Sequence, residues 1–165
     1  SFKSKKATKS IFHPAFLKQY NRRWFVFGVT KEYPDSITNF ALDRIVEVRS
    51  SKAKYMKLEV DWKEHFDEIV GVTSYQNTPL IKILVKVDKA HFPYIATKPI
   101  HDSQKEIKGK KTKTHHYIEL SLRPNKELIA RLLSHGPGLE VIEPEEFRSE
   151  MQEAVKIMHS NYFNT

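Results

Sequence analysis

Cysteine is absent from the 165 residues. That excludes a disulfide scaffold, a cysteine-ligated zinc site, an iron–sulfur cluster and a thiol nucleophile. It also fits a reducing, cytoplasmic setting. Glycine is scarce, five in all. None stands in a Gly-x-Gly-x-x-Gly or Gly-x-Ser-x-Gly arrangement, so a dinucleotide fingerprint and a nucleophile elbow are excluded. No apolar run approaches the roughly 18 residues of a membrane span, and no contact with a membrane is expected. The opening Ser1-Phe2-Lys3-Ser4-Lys5-Lys6 has basic residues but no apolar stretch behind them, so it does not read as a signal peptide. Its first residue is Ser rather than Met, as in a piece of a longer chain.

Acidic residues are missing from the first 31 positions, where Lys3, Lys5, Lys6, Lys9, Lys18, Arg22, Arg23 and Lys31 stand. This segment accounts for the whole net charge of +8. The last 27 residues lean the other way, with Glu140, Glu143, Glu145, Glu146, Glu150 and Glu153 against Arg148 and Lys156. A one-sided basic segment raises the local concentration of polyanions. Lys18, Arg22 and Arg23 also lie among Phe16, Leu17, Tyr20, Trp24 and Phe25. Cations interleaved with aromatics suit a nucleotide or nucleic acid, pairing phosphates with charge and bases with flat rings.

The eight histidines form neither His-x-His nor His-Glu-x-x-His, and the adjacent His115 and His116 would point to opposite faces of a strand. No metal site and no cofactor are expected. Gly109-Lys110-Lys111-Thr112 resembles the end of a phosphate-binding loop, but Lys110 is followed by Lys and Gln104 stands where the first glycine belongs. No catalytic constellation emerges, so the chain is not expected to be an enzyme.

Aromatic and β-branched density over Arg23–Val29 predicts a strand with Trp24, Val26 and Gly28 on one face and Phe25 and Phe27 on the other. Residues 31–36, with Pro34-Asp35, read as a turn, and 37–48 as a second strand closing a hairpin. Asp61 is placed to cap a short helix, and Ile69–Val72 looks strand-like. The polar break at 74–79 suggests a boundary between domains 1–78 and 79–165. Beyond it, Ile81, Ile83, Val85 and Val87 alternate as a strand. A helix from Asp88 through Ile95, a short strand at 104–108, a turn at 109–112 and a strand at 116–122 follow. Next comes an Asn125-capped helix carrying Leu128, Ile129, Leu132 and Leu133, and then a strand at 139–142. That is the strand-helix-strand-strand-helix-strand order of a ferredoxin-like domain. A final helix opens at Pro144 with the stripe Phe147, Met151, Ala154, Val155, Met158 and Tyr162. The expected class is α+β.

One stretch is more specific. His13-Pro14-x-x-Leu17-Lys18-x-Tyr20-x-Arg22-Arg23-Trp24-Phe25-Val26-Phe27-Gly28 is followed by Phe40-Ala41-Leu42-Asp43-Arg44-Ile45. This resembles the WYL domain of bacterial transcriptional regulators, with Trp24-Phe25-Val26 where that family has Trp-Tyr-Leu. Residues 80–163 resemble the C-terminal extension of the same regulators, including Pro99-Ile100-His101-Asp102-Ser103-Gln104. The resemblance implies a small Sm-like, SH3-type β-barrel, lacking part of its first strand, and then a ferredoxin-like α/β sandwich with an extra C-terminal helix. It implies an effector-sensing and oligomerisation module, expected as a homodimer, whose effector is a nucleotide or single-stranded nucleic acid. Duplex DNA would be met only through a helix-turn-helix domain that these residues do not contain. The rival readings are a general single-strand binder and a protein-interaction module.

The positions carried over to the effector pocket are His13, Tyr20, Arg23 and Arg44, with Arg22 and Trp24 beside them. Guanidinium forks grip phosphate in bidentate fashion, and Tyr20 or Trp24 offers a face to a base. Each has a structural alternative. Arg44 can pair with Asp43, Trp24 can sit in the core, His13 can cap a turn and Tyr20 can pack on the rim. Arg22 and Arg23 would alternate in direction on a strand, which favours Arg23 for its closeness to Trp24.

Overall fold

The computed structural model describes residues 7–163; Lys3, Lys5 and Lys6 of the basic segment lie outside them. The chain forms two compact units, 1–66 and 67–165. Each carries one antiparallel sheet, so the class is α+β.

The first unit is a three-stranded meander of β1 (Phe12–Tyr20), β2 (Arg23–Thr30) and β3 (Tyr33–Ala41). β1 has no counterpart in the sequence reading, because Pro14 and the run Ala15 to Gln19 mask the strand pattern. The structure admits the proline at a register shift between Pro14 and Phe16. β3 begins at Tyr33, inside the segment read as a turn; the turn itself is Lys31-Glu32. Pro34 is tolerated there because β3 lies at the sheet edge. The strand expected over 37–48 stops at Ala41 and passes into a 3-10 turn, Leu42–Arg44. Residues 45–61 are then irregular, in neither helix nor strand.

The first core lies on the β2 face that carries Phe25 and Phe27. α1 (Trp62–Asp67) opens with the Glu64 N–H donating to Asp61 Oδ1 at 3.0 Å, the expected cap. Trp62 stacks on Phe16 with centroids 5.1 Å apart, and Phe66 meets the Phe27 ring edge-on at 5.0 Å. Gly28 is fixed by close approach, since a Cβ there would stand 2.1 Å from the His13 carbonyl oxygen.

The second unit holds β4 (Ile81–Asp88), α2 (Phe92–Thr97), β5 (Lys105–Glu106), β6 (His115–Leu122), α3 (Lys126–Leu133), β7 (Leu139–Glu143) and α4 (Glu145–Phe163). The alternating patterns of β4 and β6 and the Asn125 cap are as expected. The sheet order is β5-β6-β4-β7. Helix α2 starts later than Asp88: His91 holds the cap position, and its N–H donates to the Asp88 carbonyl at 2.9 Å. β5 is shorter than expected, and a 3-10 turn (Lys108–Lys110) follows it. Ile83, Val85, Ile118, Leu120, Leu128, Leu132 and Phe147 form the core. α4 is anchored near its start, where Arg148 donates to the Val141 carbonyl at 3.0 Å and to Glu140 at 2.9 Å.

Ile69–Val72 is not a strand. Gly71 adopts φ 81°, which breaks the extended run, yet Ile69, Val70 and Val72 are buried. Asn125 holds this segment: its Nδ2 donates to the carbonyls of Val70 (2.8 Å) and Thr73 (2.7 Å). Residues 67–78 therefore pack with the second unit, whereas the sequence break alone would assign them to the first. Among the described residues no helix is long and apolar enough to cross a membrane.

Candidate functional site

The β1–β2 connection is two residues long, and both take left-handed backbone angles: Asn21 has φ 48° and Arg22 φ 64°. This is the geometry of the tight hairpin turn, whose second position favours glycine. An arginine there carries a conformational cost of about 1–2 kcal/mol. Arg22 thus sits at the exposed turn tip and not on a strand, which corrects the expected alternation with Arg23.

Tyr20 and Arg23 close the turn as cross-strand partners, so their side chains share one face. Arg23 Nε lies 3.1 Å from Asp43 Oδ2 in the Leu42–Arg44 turn, with the two side chains 40% and 52% exposed. Asp43 thereby pairs with Arg23, and the pair brings the backbone that carries Arg44 to the hairpin end. An ion pair this exposed contributes under about 1 kcal/mol. An incoming phosphate can compete for Arg23 at that scale.

The remaining two positions are elsewhere. Trp24 pairs with Gln19, follows Arg23 by one residue and occupies the opposite face of the sheet, 49% exposed. The proximity in sequence that favoured Arg23 is a separation in space. His13 lies toward the far end of β1, paired with Val29 and 4% exposed. Its Nδ1 accepts the Met56 N–H at 3.1 Å, and the Tyr55 hydroxyl donates to the Pro14 carbonyl at 2.8 Å. These contacts hold Tyr55 and Met56 against β1. The cluster that the structure does gather is Tyr20, Arg22 and Arg23, with Arg44 carried on the adjoining turn. Signals for the Tyr55–Met56 clasp were weak in the sequence, because an irregular segment without alternation has no period to read.

Among the described residues no group of three or more His, Asp or Glu is disposed to hold a metal ion. Residues 1–50 match the WYL domain, and residues 79–158 match the WCX domain. The chain thus carries a WYL domain followed by a WCX domain. Among curated proteins no match is found. Among solved structures, the proteasome accessory factor B/C (PafBC) of Arthrobacter aurescens is similar, with 18% identity over 85% of this chain and a TM-score of 0.37. The chain spans 21% of that protein's length. In this WYL–WCX arrangement the hairpin end falls within the WYL part, and the four-stranded sheet falls within the WCX part.

Proposed function

We propose that this chain is the effector-sensing part of a transcriptional regulator. Its effector is a nucleotide or a short single-stranded nucleic acid, held at the hairpin end by Arg22, Arg23 and Arg44, with Tyr20 beneath a base. The observation that carries this reading is the strained arginine at the turn tip. A glycine at position 22 would relieve the backbone, so the guanidinium is retained at a cost to stability. Strain of this kind points to a task for the side chain. Arginine also suits the task, since it binds phosphate through two parallel hydrogen bonds. His13 and Trp24 have no direct part in this arrangement: His13 holds Met56, and Trp24 faces away.

We read the first unit as an Sm-like barrel and the second as a ferredoxin-like sandwich, the latter supported by its element order and its sheet order. The start of the WCX match at residue 79 supports a division at 78/79 in sequence, while residues 67–78 pack with the second unit. The working form is a cytoplasmic homodimer that reaches duplex DNA through a separate helix-turn-helix domain. Effector binding would bias two arrangements of those domains by binding one more tightly than the other.

Titration with mononucleotides and short oligonucleotides, read by calorimetry, tests the reading. Saturable binding that Arg23→Ala and Arg44→Ala each weaken supports it, and absence of binding to the whole series refutes it. A steep salt response with affinity rising with strand length would instead assign a general single-strand binder. A protein-interaction module is favoured by a separate observation: Leu17, Trp24 and Phe40 are exposed on the same sheet face.

A further inference from the structure

The second unit carries a concentration of positive charge remote in sequence from the basic N-terminal segment. Residues 105–113 read Lys-Glu-Ile-Lys-Gly-Lys-Lys-Thr-Lys. Lys108, Lys110, Lys111 and Lys113 are all exposed, and so is Lys89, whose backbone N–H donates to the Thr114 carbonyl at 2.9 Å. Among the described residues none of these five lysines is paired with a carboxylate. The nearest acids in sequence are engaged by histidines: Glu106 lies 2.9 Å from His116 and Asp88 lies 3.1 Å from His115. The two acids are outnumbered by the five lysines, which leaves a local excess of positive charge.

The loop is built rather than frayed. The Ile107 N–H donates to the Tyr117 carbonyl at 2.8 Å, and the Lys110 N–H to the Ile107 carbonyl at 3.1 Å. Thr112 closes the other side: its N–H donates to the His115 carbonyl at 2.9 Å, and its Oγ1 accepts from the His115 N–H at 2.9 Å. Four like charges are thus held together on a short frame at some electrostatic cost. Protection of the sheet edge explains Lys105, which lies on edge strand β5 opposite Glu119. It does not explain the four lysines beyond the strand.

The chemistry of the loop selects its partner. It holds no aromatic ring and no arginine, so it offers neither a stacking platform for bases nor a bidentate fork. Lysines are point charges that meet phosphates without reading sequence. The 3-10 turn over Lys108–Lys110 folds the loop, so its lysines span less than the roughly 17 Å of a fully extended chain. One DNA strand carries a phosphate per roughly 3.4 Å of axis, so fewer than about five phosphates lie along the folded loop. We propose that the lysine loop 108–113, with Lys89 beside it, is a contact surface for the phosphate backbone of duplex DNA. It is separate from the hairpin end and does not depend on what binds there.

The test uses the whole chain and a labelled duplex of arbitrary sequence, with anisotropy measured between about 50 and 200 mM salt. The variant K108Q/K110Q/K111Q/K113Q is compared with the unaltered chain, and again in a K3Q/K5Q/K6Q/K9Q background that removes the N-terminal lysines. The loop substitutions should weaken binding about tenfold or more at the low-salt end. They should flatten the slope of log affinity against log salt by roughly 3, since each phosphate contact contributes about 0.9. The same loss should appear in both backgrounds. An unchanged slope overturns the proposal. An equal loss towards a single-stranded oligo-dT of matched charge, or towards anionic vesicles, overturns the choice of duplex DNA. Failure of Arg23→Ala to alter nucleotide binding would touch only the hairpin reading and leave this result standing.

Discussion

Replacing Asn125 by alanine should unfold the second unit at markedly lower denaturant. Asn125 is 3% exposed and makes three hydrogen bonds. Its Oδ1 accepts the Leu128 N–H at 2.8 Å as the cap of α3, and its Nδ2 serves the carbonyls of Val70 and Thr73. Alanine removes the cap, at about 1 kcal/mol. It also strips two carbonyls of their donor, at about 1–3 kcal/mol for each that stays dry. The expected loss is about 3–7 kcal/mol, a large part of the roughly 5–15 kcal/mol that holds a domain together. Asn125→Asp separates the two roles. It keeps the cap acceptor but turns a carboxylate oxygen toward two carbonyls, so it should be no more stable than the alanine variant. Both tryptophans lie in the first unit, so the assay is hydrogen exchange at the β4 and β6 amides, alongside urea unfolding by circular dichroism. An aspartate variant as stable as the parent, or an alanine variant losing under about 1 kcal/mol, would refute the reasoning.

Gly28→Ala should cost the first unit about 1–3 kcal/mol or more, because the added Cβ would stand 2.1 Å from the His13 carbonyl oxygen; a lowered midpoint in tryptophan fluorescence checks it. Tyr55→Phe should cost about 1 kcal/mol by removing the hydroxyl bond to Pro14, and should raise amide exchange at Met56. His135 is held below the ordinary histidine value of 6.5, chiefly by burial and then by Arg131 and His91. Its Nδ1 lies 3.0 Å from His91 Nε2. The folded state therefore binds fewer protons than the unfolded chain. Stability should be intact above 6.5, fall as pH drops below it, and level off below the folded value. His135→Gln should flatten that slope in denaturation curves taken at several pH values, and an unaltered slope would contradict the assignment.

The two halves were not equally legible. In the second unit, β4 and β6 alternate with a strict period of two, and α3 shows four apolar residues at helical spacing behind Asn125. Local pattern and tertiary burial agree there. In the first unit they conflict. β1 carries a proline and exposes Leu17, and β3 starts at a Tyr-Pro pair that reads locally as a turn. Such strands form because β2, with Val26, Phe27 and Val29 buried, offers a ladder on both sides. Ile69–Val72 shows the converse case: apolar residues that are buried by turns rather than by a strand, because Gly71 bends the chain. At the candidate site, the sequence brought Tyr20, Arg22, Arg23 and Arg44 into view. The alternation over 23–29 already put Trp24 on the face opposite Arg23, but the sequence could not show that His13 is committed to Met56, a partner 43 residues away.

Substitution of glycine for Arg22 tests the central claim most directly, with thermal unfolding and nucleotide or oligonucleotide binding measured on the same sample. Relief of the left-handed arginine should stabilise the hairpin by about 1 kcal/mol, while affinity for the phosphate-bearing ligand falls several-fold. A variant that gains stability and binds as tightly as the parent would show that the turn-tip guanidinium serves no ligand, and would contradict the account.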